Sequence, residues 1–271
     1  MIQKIKNNVE YTLAVVLFFL TFFVYFSTMA PTVSFWDTGE FIATSYILGI
    51  PHPPGSPLFL LIGKLFSLFP ISSDIAFRIN IFSPIISAAT ISLLFLICNQ
   101  FIERLNNYTT DNSILKFGSS FVASLTFAFT HSHWFNAVEA EVYALSGFIT
   151  ALVVYLILLW SKNRQKSDHI IYLIIIVYLM GLAIGIHLLN LLTIPFIALI
   201  IYRNEDFIYL RNTTLLVFIF LFLQTFLGIL TVLSGAQIII ASIHQIGSIF
   251  LITASLILVF KNSRCTIWSN T

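Results

Sequence analysis

The run LAVVLFFLTFFVYFSTM, from Leu13 to Met29, carries no charged residue, and comparable apolar runs recur along the whole chain. Hydrophobic residues make up 58% of the 271 residues and charged residues 9%, with a mean hydropathy of +0.97, which excludes an ordinary soluble domain. Such runs are typical of membrane-spanning helices. Backbone groups in lipid must be bonded internally, and the runs do not alternate with polar residues. The sequence therefore predicts an all-α fold, a polytopic membrane helical bundle.

The first run is preceded by Lys4 and Lys6, as the apolar part of a secretory signal peptide is preceded by basic residues. The run is long for a signal peptide, however, and Pro31 follows Ala30 where cleavage would have to occur. We therefore expect this segment to be retained as a membrane anchor.

Charges and prolines divide the chain into about eight predicted crossings. They lie near residues 11–30, 79–102, 114–131, 141–160, 169–182, 186–202, 212–233 and 237–260. A single helix over 169–202 would be about 50 Å long, too long for a bilayer core of roughly 30 Å. Gly181 and Gly185 allow a break there, which gives two short crossings.

Basic residues assign the two sides of the membrane, because they are enriched in cytoplasmic loops. With the N-terminus inside and eight crossings, Lys64 and Arg78 are the only two of the 13 basic residues on the outer side. The predicted location is a multi-pass protein of the inner (cytoplasmic) membrane whose first loop, about 30–78, lies on the outer face. The basic residues predicted inside are Lys4, Lys6, Arg104, Lys116, Lys162, Arg164, Lys166, Arg203, Arg211, Lys261 and Arg264.

The first outer loop contains SFWDTGEFIATSYILGIPHPPGSPLF, from Ser34 to Phe59, which is unusually polar for this chain. We predict one interfacial helix over Thr38–Leu48, ended by Gly49 and Pro51, and a second over Leu58–Leu68. Both are too short to cross the membrane easily, so the first outer loop is expected to lie along the membrane surface.

Two interpretations of the loop acids stay open on spacing alone. Asp37 followed three residues later by Glu40 is a variant of the capping box, which requires no chemistry. Alternatively, one carboxylate is a general base whose pKa is raised by partial desolvation at the interface. The two interpretations are compatible, because only one of the carboxylates needs to be catalytic.

Two cationic candidates share this loop. His52 lies in an HPPG turn, where a structural role competes with binding of substrate. Arg78, at the outer start of the second crossing, is either an interfacial arginine that extends toward water or a cation for a lipid-linked phosphate, which its fork geometry suits.

Other classes of site receive little support. Cys98 and Cys265 form no C-x-x-C motif, which argues against a disulfide framework or a zinc knuckle. His131 and His133 lack a third ligand at a set spacing, so we expect no metal and no cofactor. A net charge of +2 is too small to suggest nucleic acid as a partner.

Four sequence blocks stand out along the chain: WDTGEF (Trp36–Phe41), GIPHPPGSPLF (Gly49–Phe59), WFNAVEAEVYAL (Trp134–Leu145) and GLAIGIHLLNLLTIP (Gly181–Pro195). In this order they resemble the bacterial membrane proteins of the protein O-mannosyltransferase-like family, which is related to the GT-C glycosyltransferases. The resemblance covers about residues 10–205 and implies a GT-C-like bundle whose first outer loop carries an acidic catalytic residue. It also implies transfer of a sugar from a polyprenyl-phosphate donor, in membrane lipid, to a protein or lipid acceptor outside the cytoplasm.

The resemblance makes Asp37 the first candidate for the base that deprotonates the acceptor, and Glu40 the second. Glu139 and Glu141 lie at the outer end of the fourth crossing, and on a helix residues two apart point about 200° apart, so at most one of them can face the site. The candidates for binding substrate, including the donor phosphate, are His52, Arg78, Glu139, Glu141, His187 and Asn190. A His187–Asn190 pair inside the bundle is the competing interpretation of those two residues.

The tail differs from the preceding sequence. Residues Gln224–Leu258 resemble the closing helix pair of heme A synthases, in which the residue matching His244 would be an axial heme ligand. Residues 212–233 offer no second histidine, so we expect no heme here. We predict a GT-C-like domain over 1–205 and a two-helix tail over 206–271.

Two alternatives to a glycosyltransferase stay open. One is a heme A synthase-like fragment, and the other is a non-catalytic membrane remnant or transporter.

Overall fold

The computed structural model describes residues 2–53, 55–105, 113–165, 169–204, 208–235 and 237–268, and these residues form helices, turns and no strand. The predicted all-α class is therefore confirmed. The α-helices are α1 Ile2–Thr28, α2 Thr38–Ile47, α3 Pro57–Leu68, α4 Ile75–Asn80, α5 Phe82–Leu105, α6 Ser113–Ala128, α7 His131–Ala137, α8 Val142–Lys162, α9 Ile170–Ile184, α10 Thr193–Asn204, α11 Ile208–Leu233 and α12 Ile238–Trp268, with a 3₁₀ helix over Leu188–Leu192.

The chain forms two compact units, Met1–Thr193 and Ile194–Thr271, which we call unit 1 and unit 2. The domain boundary predicted near residue 205 lies outside the described residues, which exclude 205–207.

Five of the described helical segments are long and apolar enough to cross a membrane. A sixth candidate is the pair α6 and α7, which is bent by 68°. The predicted crossings at 169–182 and 186–202 correspond to shorter apolar helices, Ile170–Ile184 and Leu188–Ile201, separated by the break that the glycines predicted. Because α9 is only about 22 Å long at 1.5 Å per residue, separate crossings there stay a prediction. The five segments are Asn8–Thr28, Ile75–Arg104, Val142–Lys162, Asn212–Leu233 and Ile238–Ser255.

The core of unit 1 is organised around α5, which contacts α1, α6, α7 and α8. Small residues such as Ala88 on α5 and Ala14 on α1 alternate with large ones such as Phe95, which allows close helix packing. The phenol of Tyr25 on α1 donates a hydrogen bond of 2.9 Å to the carbonyl of Ala128, at the bend between α6 and α7. This bond fixes the bent end of α6 against α1.

One end of unit 1 is held by charged groups. Glu103 near the end of α5 pairs with Lys116 at the start of α6 and with Lys162 at the end of α8. The guanidinium of Arg104 also donates to the carbonyl of Leu158 on α8. These basic residues belong to the group predicted to lie inside, so the charges that indicate sidedness also join three helix ends.

The opposite end of unit 1 is joined by Asn80, the last residue of α4. Its side-chain amide is fully buried and donates to the carbonyls of Ala30 and Thr32 at 2.9 and 3.0 Å. Its carbonyl oxygen accepts from the main-chain N–H of Ala140 at 3.0 Å, and Ala30 itself donates to Val138. The start of the first outer loop is thereby attached to the segment that precedes α8.

We expect Asn80→Ala to destabilise the protein strongly. The change leaves the buried N–H of Ala140 without its partner, which costs about 1–3 kcal/mol, and also removes the bonds to the less buried carbonyls of Ala30 and Thr32. The measurement is the Tm of the purified protein in detergent. Asn136→Ala is the matched control, because within the described residues the Asn136 amide bonds to Ser132 on its own helix. Equal losses of Tm in the two variants would contradict the role of Asn80.

Candidate functional site

The side chain of Asp37 makes no capping bond, although Asp37 occupies the N-terminal cap position of α2. Its backbone angles, φ −77° and ψ −5°, are already helical, whereas a capping side chain normally turns back from an extended residue. Among the described residues its exposed carboxylate has no hydrogen-bond partner. The capping-box interpretation of Asp37 is therefore wrong.

Helix α2 is bounded by two strained residues. Trp36 before it and Leu48 after it have left-handed backbone angles, with φ of 59° and 54°, which non-glycine residues rarely adopt. The helix was predicted to stop at Gly49, but it is Leu48 that takes the left-handed cap, and its N–H bonds to the carbonyl of Thr44. The strain fixes the direction in which the chain enters and leaves α2, and hence the position of Asp37 and Glu40.

Glu40 binds His52 rather than the start of its own helix. One carboxylate oxygen accepts the main-chain N–H of His52 at 2.7 Å, and the other lies 2.7 Å from Nδ1 of the imidazole. The bond from His52 holds the pKa of Glu40 below its usual value, and the bond to Glu40 raises the pKa of His52. The pair fixes the HPPG turn against α2 and favours a charged imidazolium.

Asp37, Glu40 and His52 form one cluster, in which one ligand-type atom from each residue lies within 4.8 Å of the others. Two carboxylates and an imidazole are donors that a divalent cation accepts. Two of the three groups are already bonded to each other and all are at least partly exposed, so the cluster by itself does not establish a metal site. No other such group of three occurs within the part of the chain that the structure describes.

Glu139 and Glu141 both lie before α8 rather than on it. Glu141 is extended, with φ −132° and ψ 151°, and its side chain accepts from the N–H of Val142 as the cap of α8. Glu139 accepts a hydrogen bond from the hydroxyl of Ser34 in the first outer loop. The argument that at most one can face the site assumed helical geometry and does not apply, because neither residue lies on the helix.

Burial raises the pKa of Glu141 to about 7, and the nearby charges of Asp37 and Glu139 act in the same direction. Glu141 is only 6% exposed. Burial also raises the pKa of Glu139, whose second oxygen is buried without a partner, while the bond from Ser34 opposes the shift. The charge of Asp37 raises the pKa of Glu141 and that of His52 lowers it, so the segment before α8 lies within electrostatic range of the Asp37–Glu40–His52 cluster.

Arg78 is bonded to the main chain in this structure. Its Nε donates to the carbonyl of Ser72 at 2.6 Å, and one terminal nitrogen donates to the carbonyl of Ser67 at 3.0 Å. These bonds brace the end of α3 against α4. Binding of the donor phosphate by Arg78 therefore stays a prediction, and only the remaining N–H groups of the guanidinium could make that contact.

His187 and Asn190 do not share an α-helical face, because His187 precedes the 3₁₀ helix and caps it through Nδ1. Asn190 is 1% exposed, accepts from the hydroxyl of Thr150 and donates to the carbonyl of His187. It therefore closes the break after α9 and fixes it to α8. The half-buried imidazole of His187 lies beside Tyr143, with ring centroids 5.3 Å apart, and remains the more accessible candidate of the two.

Sequence reasoning missed two residues that position the site. Asn80 joins the loop to the acidic segment, and the hydroxyl of Ser56 donates to the carbonyl of Ile186 at 2.8 Å, joining the start of α3 to the break after α9. The position of Asn80, a polar residue at the start of an apolar span, could have identified it, since buried polar groups in such segments require partners. Nothing in the sequence distinguishes Ser56 from other serines.

His131 and His133 pack among aromatic rings. His133 lies 4.8 Å from Phe127 and 5.9 Å from Tyr25 between ring centroids, and His131 stacks on Phe135. Neither belongs to a group of three ligands within the described residues.

Comparison with known families identifies the domain that contains these residues. A profile described as the protein O-mannosyl-transferase TMEM260 N-terminal domain matches residues 37–208, from the first acid of the cluster to the start of α11. The chain belongs to the TMEM260 N-terminal domain family. The match includes all eight candidate site residues of this domain, from Asp37 to Asn190.

Curated relatives with the TMEM260 domain are much longer than this chain. The protein O-mannosyl-transferase tmem260 of Dictyostelium discoideum is 26% identical over 206 residues, which is 71% of this chain and 24% of that protein. TMEM260 of Mus musculus is 29% identical over 133 residues, 49% of this chain and 17% of that protein. The chain thus spans a quarter or less of these relatives, and no solved structure matches it.

The tail has a different similarity. A cytochrome oxidase assembly protein profile, COX15-CtaA, matches residues 185–256, and a heme A synthase of Pelagibacter ubique is 46% identical over 41 residues. That stretch is 15% of this chain and 12% of the synthase. The predicted likeness of the tail to heme A synthase is therefore confirmed at the level of sequence.

The pKa of Glu141 leads to a prediction about stability. A raised pKa means that the folded chain binds more protons than the unfolded chain between the ordinary glutamate value of 4.5 and about 7. The contribution of Glu141 to the free energy of unfolding is therefore fully present below pH 4.5 and is lost as the pH rises through about 7. Glutamine can cap α8 but cannot ionise, so Glu141→Gln should raise the Tm at pH 8 and leave it unchanged at pH 4.5.

Glu40→Gln is the control for this measurement, because the pKa of Glu40 is shifted in the opposite direction. It should give no gain in Tm at pH 8. A Tm difference between parent and Glu141→Gln that is the same at both pH values would show that Glu141 is not held protonated by burial.

Proposed function

We propose that this chain forms the donor and acceptor site of a membrane glycosyltransferase that moves a sugar from a polyprenyl-phosphate donor to a hydroxyl group outside the cytoplasm. The observation that carries the proposal is the carboxylate of Asp37, which has no hydrogen-bond partner among the described residues and lies in one cluster with Glu40 and His52. Membership of the TMEM260 domain family supports this, because its named relatives are protein O-mannosyl-transferases. Mannose and a protein acceptor are accordingly the first substrates to test.

Asp37 is the proposed general base. It accepts the proton of the acceptor hydroxyl while that oxygen forms a bond to the anomeric carbon of the sugar. The bond between the anomeric carbon and the phosphate oxygen breaks, and the polyprenyl phosphate leaves with the electron pair. An unpaired carboxylate suits this task, because no hydrogen bond has to be broken before it accepts a proton.

Glu40, the second candidate base, is better suited to orient His52. Both of its oxygens are engaged by His52, and its lowered pKa makes it a weaker base. The raised pKa of His52 favours the positively charged imidazolium beside the acids. We propose that His52, with Arg78 and His187 as further candidates, receives the negative charge of the leaving phosphate.

The surroundings of Asp37 suit a donor anchored in lipid. Phe35 and Trp36 are each 83% exposed and Ile50 is 92% exposed, so apolar side chains flank the cluster without packing on the described protein. Large exposed apolar groups beside a short surface helix are typical of segments that enter the membrane interface. A polyprenyl chain in the outer leaflet would place its phosphate at this level.

Asp37→Asn should abolish transfer without loss of stability. Removing a general base typically costs about 10²–10⁴-fold in rate. Because the side chain of Asp37 makes no capping bond, the asparagine variant should keep the parental Tm. The measurement is transfer of radiolabelled mannose from polyprenyl-phosphate mannose to a serine- and threonine-containing peptide, in membranes holding this chain or a full-length relative with the matching change.

Asp74→Asn is the matched control, since Asp74 is an outer-loop cap whose carboxylate does accept a hydrogen bond, from the N–H of Phe77 at 3.1 Å. Asparagine caps a helix about as well as aspartate, so this variant should retain transfer. Transfer by Asp37→Asn within a few-fold of the parent would remove Asp37 from the reaction and leave the other carboxylates as candidates.

The proposed location is the inner membrane, with the cluster on its outer face. The asymmetry of basic residues supports this assignment. Two isoleucines provide a direct test, because Ile50 beside the cluster and Ile114 at the start of α6 are 92% and 86% exposed. In a background without native cysteines, an impermeant thiol reagent applied to cells with a permeabilised outer membrane should label Ile50→Cys and not Ile114→Cys. The reverse pattern of labelling would invert the proposed topology.

A further inference from the structure

Helices α11 and α12 pack as a hairpin in unit 2 through two glycines. A Cβ atom added at Gly247 on α12 would lie 2.5 Å from Oε1 of Gln224 on α11. A Cβ atom added at Gly228 on α11 would lie 3.1 Å from Cε1 of His244 on α12. Each helix therefore presents a polar side chain to the glycine of the other, and the contact is reciprocal.

The side chain of Gln224 is fixed in this contact by a hydrogen bond. Its Nε2 donates to the main-chain carbonyl of His244 at 2.8 Å, across the two helices. The space above Gly247 is thus filled by an amide that could move away only by breaking this bond. Small residues with interhelical hydrogen bonds are the usual means by which helices associate where lipid removes the hydrophobic driving force.

The imidazole of His244 is enclosed by the same contact. Its Nε2 lies 3.5 Å from the Gln224 amide nitrogen, and its Nδ1 is buried without a hydrogen-bond partner. Both ring nitrogens lie 3.7 Å from the position of a Cβ at Gly228. With Nδ1 buried and Nε2 beside the Gln224 amide, neither ring nitrogen faces the open space that an iron ion would need.

We infer that His244 is a packing residue of a closed α11–α12 hairpin and is not a heme ligand, in disagreement with the heme A synthase likeness of this segment. The residues do not fit the cofactor, because one ring nitrogen is buried, the other lies beside Gln224, and 194–271 contains no second histidine. The other histidine within the matched residues 185–256, His187, caps the 3₁₀ helix of unit 1 through Nδ1. The reciprocal pairs Gln224–Gly247 and His244–Gly228 instead pack the two helices against each other. The inference is independent of the proposed sugar transfer.

The first test is a titration of the purified full chain with hemin in detergent, followed through the Soret band. We expect the parent and His244→Ala to give the same spectrum as hemin in detergent alone. A band that saturates at one heme per chain in the parent and is lost in His244→Ala would overturn the inference.

The second test measures the packing itself by amide hydrogen exchange of the full chain. Gln224→Leu keeps the bulk of the side chain but removes its bond to α12, and should speed exchange around His244 by about three- to tenfold, as expected for one interhelical hydrogen bond in a membrane. Gln245→Leu is the matched control, since Gln245 is exposed on the same helix. We expect it to leave exchange unchanged, and equal rates in the two variants would refute the packing role of Gln224.

Gly228→Leu extends the test to the histidine. Its side chain has to displace the His244 ring, so exchange should rise in α11 and α12 and not in α5 or α8. A uniform rise over both units would mean that the whole chain unfolds, and the inference would then depend on the comparison of Gln224→Leu with Gln245→Leu. Unchanged exchange in α11 and α12 would show that Gly228 does not serve as the contact for His244.

Discussion

The carboxamide of Asn80 joins three parts of unit 1 that are far apart in the sequence, and the candidate site is arranged around it. It donates to the carbonyls of Ala30 and Thr32 and accepts from the N–H of Ala140. The side chain of Asn80 and the residue Ala140 are buried, so an unpaired polar group there would be costly. Because Ala140 lies between Glu139 and Glu141, the same bonds bring the buried carboxylates to the loop that carries Asp37.

The surroundings shift the pKa values of Glu40 and Glu141 in opposite directions. Glu40 is exposed and bonded to His52, which lowers its pKa, whereas Glu141 is buried beside other acids, which raises its pKa to about 7. Neighbouring titratable groups with divergent pKa values are a frequent property of sites that transfer protons. The lowered pKa of Glu40 and the raised pKa values of Glu141 and His52 thus occur among neighbouring groups of one cluster and the segment beside it.

The tail resembles heme A synthase in sequence, but the surroundings of His244 do not suit a heme ligand. The match to heme A synthase covers a helix pair, and apolar residues account for much of any such match. A histidine becomes a ligand only if a ring nitrogen faces open space. In unit 2 the His244 ring lies against Gln224 and Gly228 of α11. The sequence shows that these two residues lie one turn apart on a helix, but it does not show that they contact His244.

The sequence alone determined the all-α class, most of the candidate spans, the two short helices α2 and α3 and the break near Gly185, because hydropathy, proline and glycine act locally. It also selected Asp37, Glu40 and Glu141 as candidates. Only the tertiary structure decided their states: Glu40 turns to His52, 12 residues away, and Ser34 reaches Glu139 over 105 residues. Glu139 and Glu141 were expected at the end of a helical crossing, but both precede α8, and Asn80 binds the main chain of Ala140 between them. Hydrogen bonds between distant residues leave no periodic pattern, so such partners emerge only when the chain is folded.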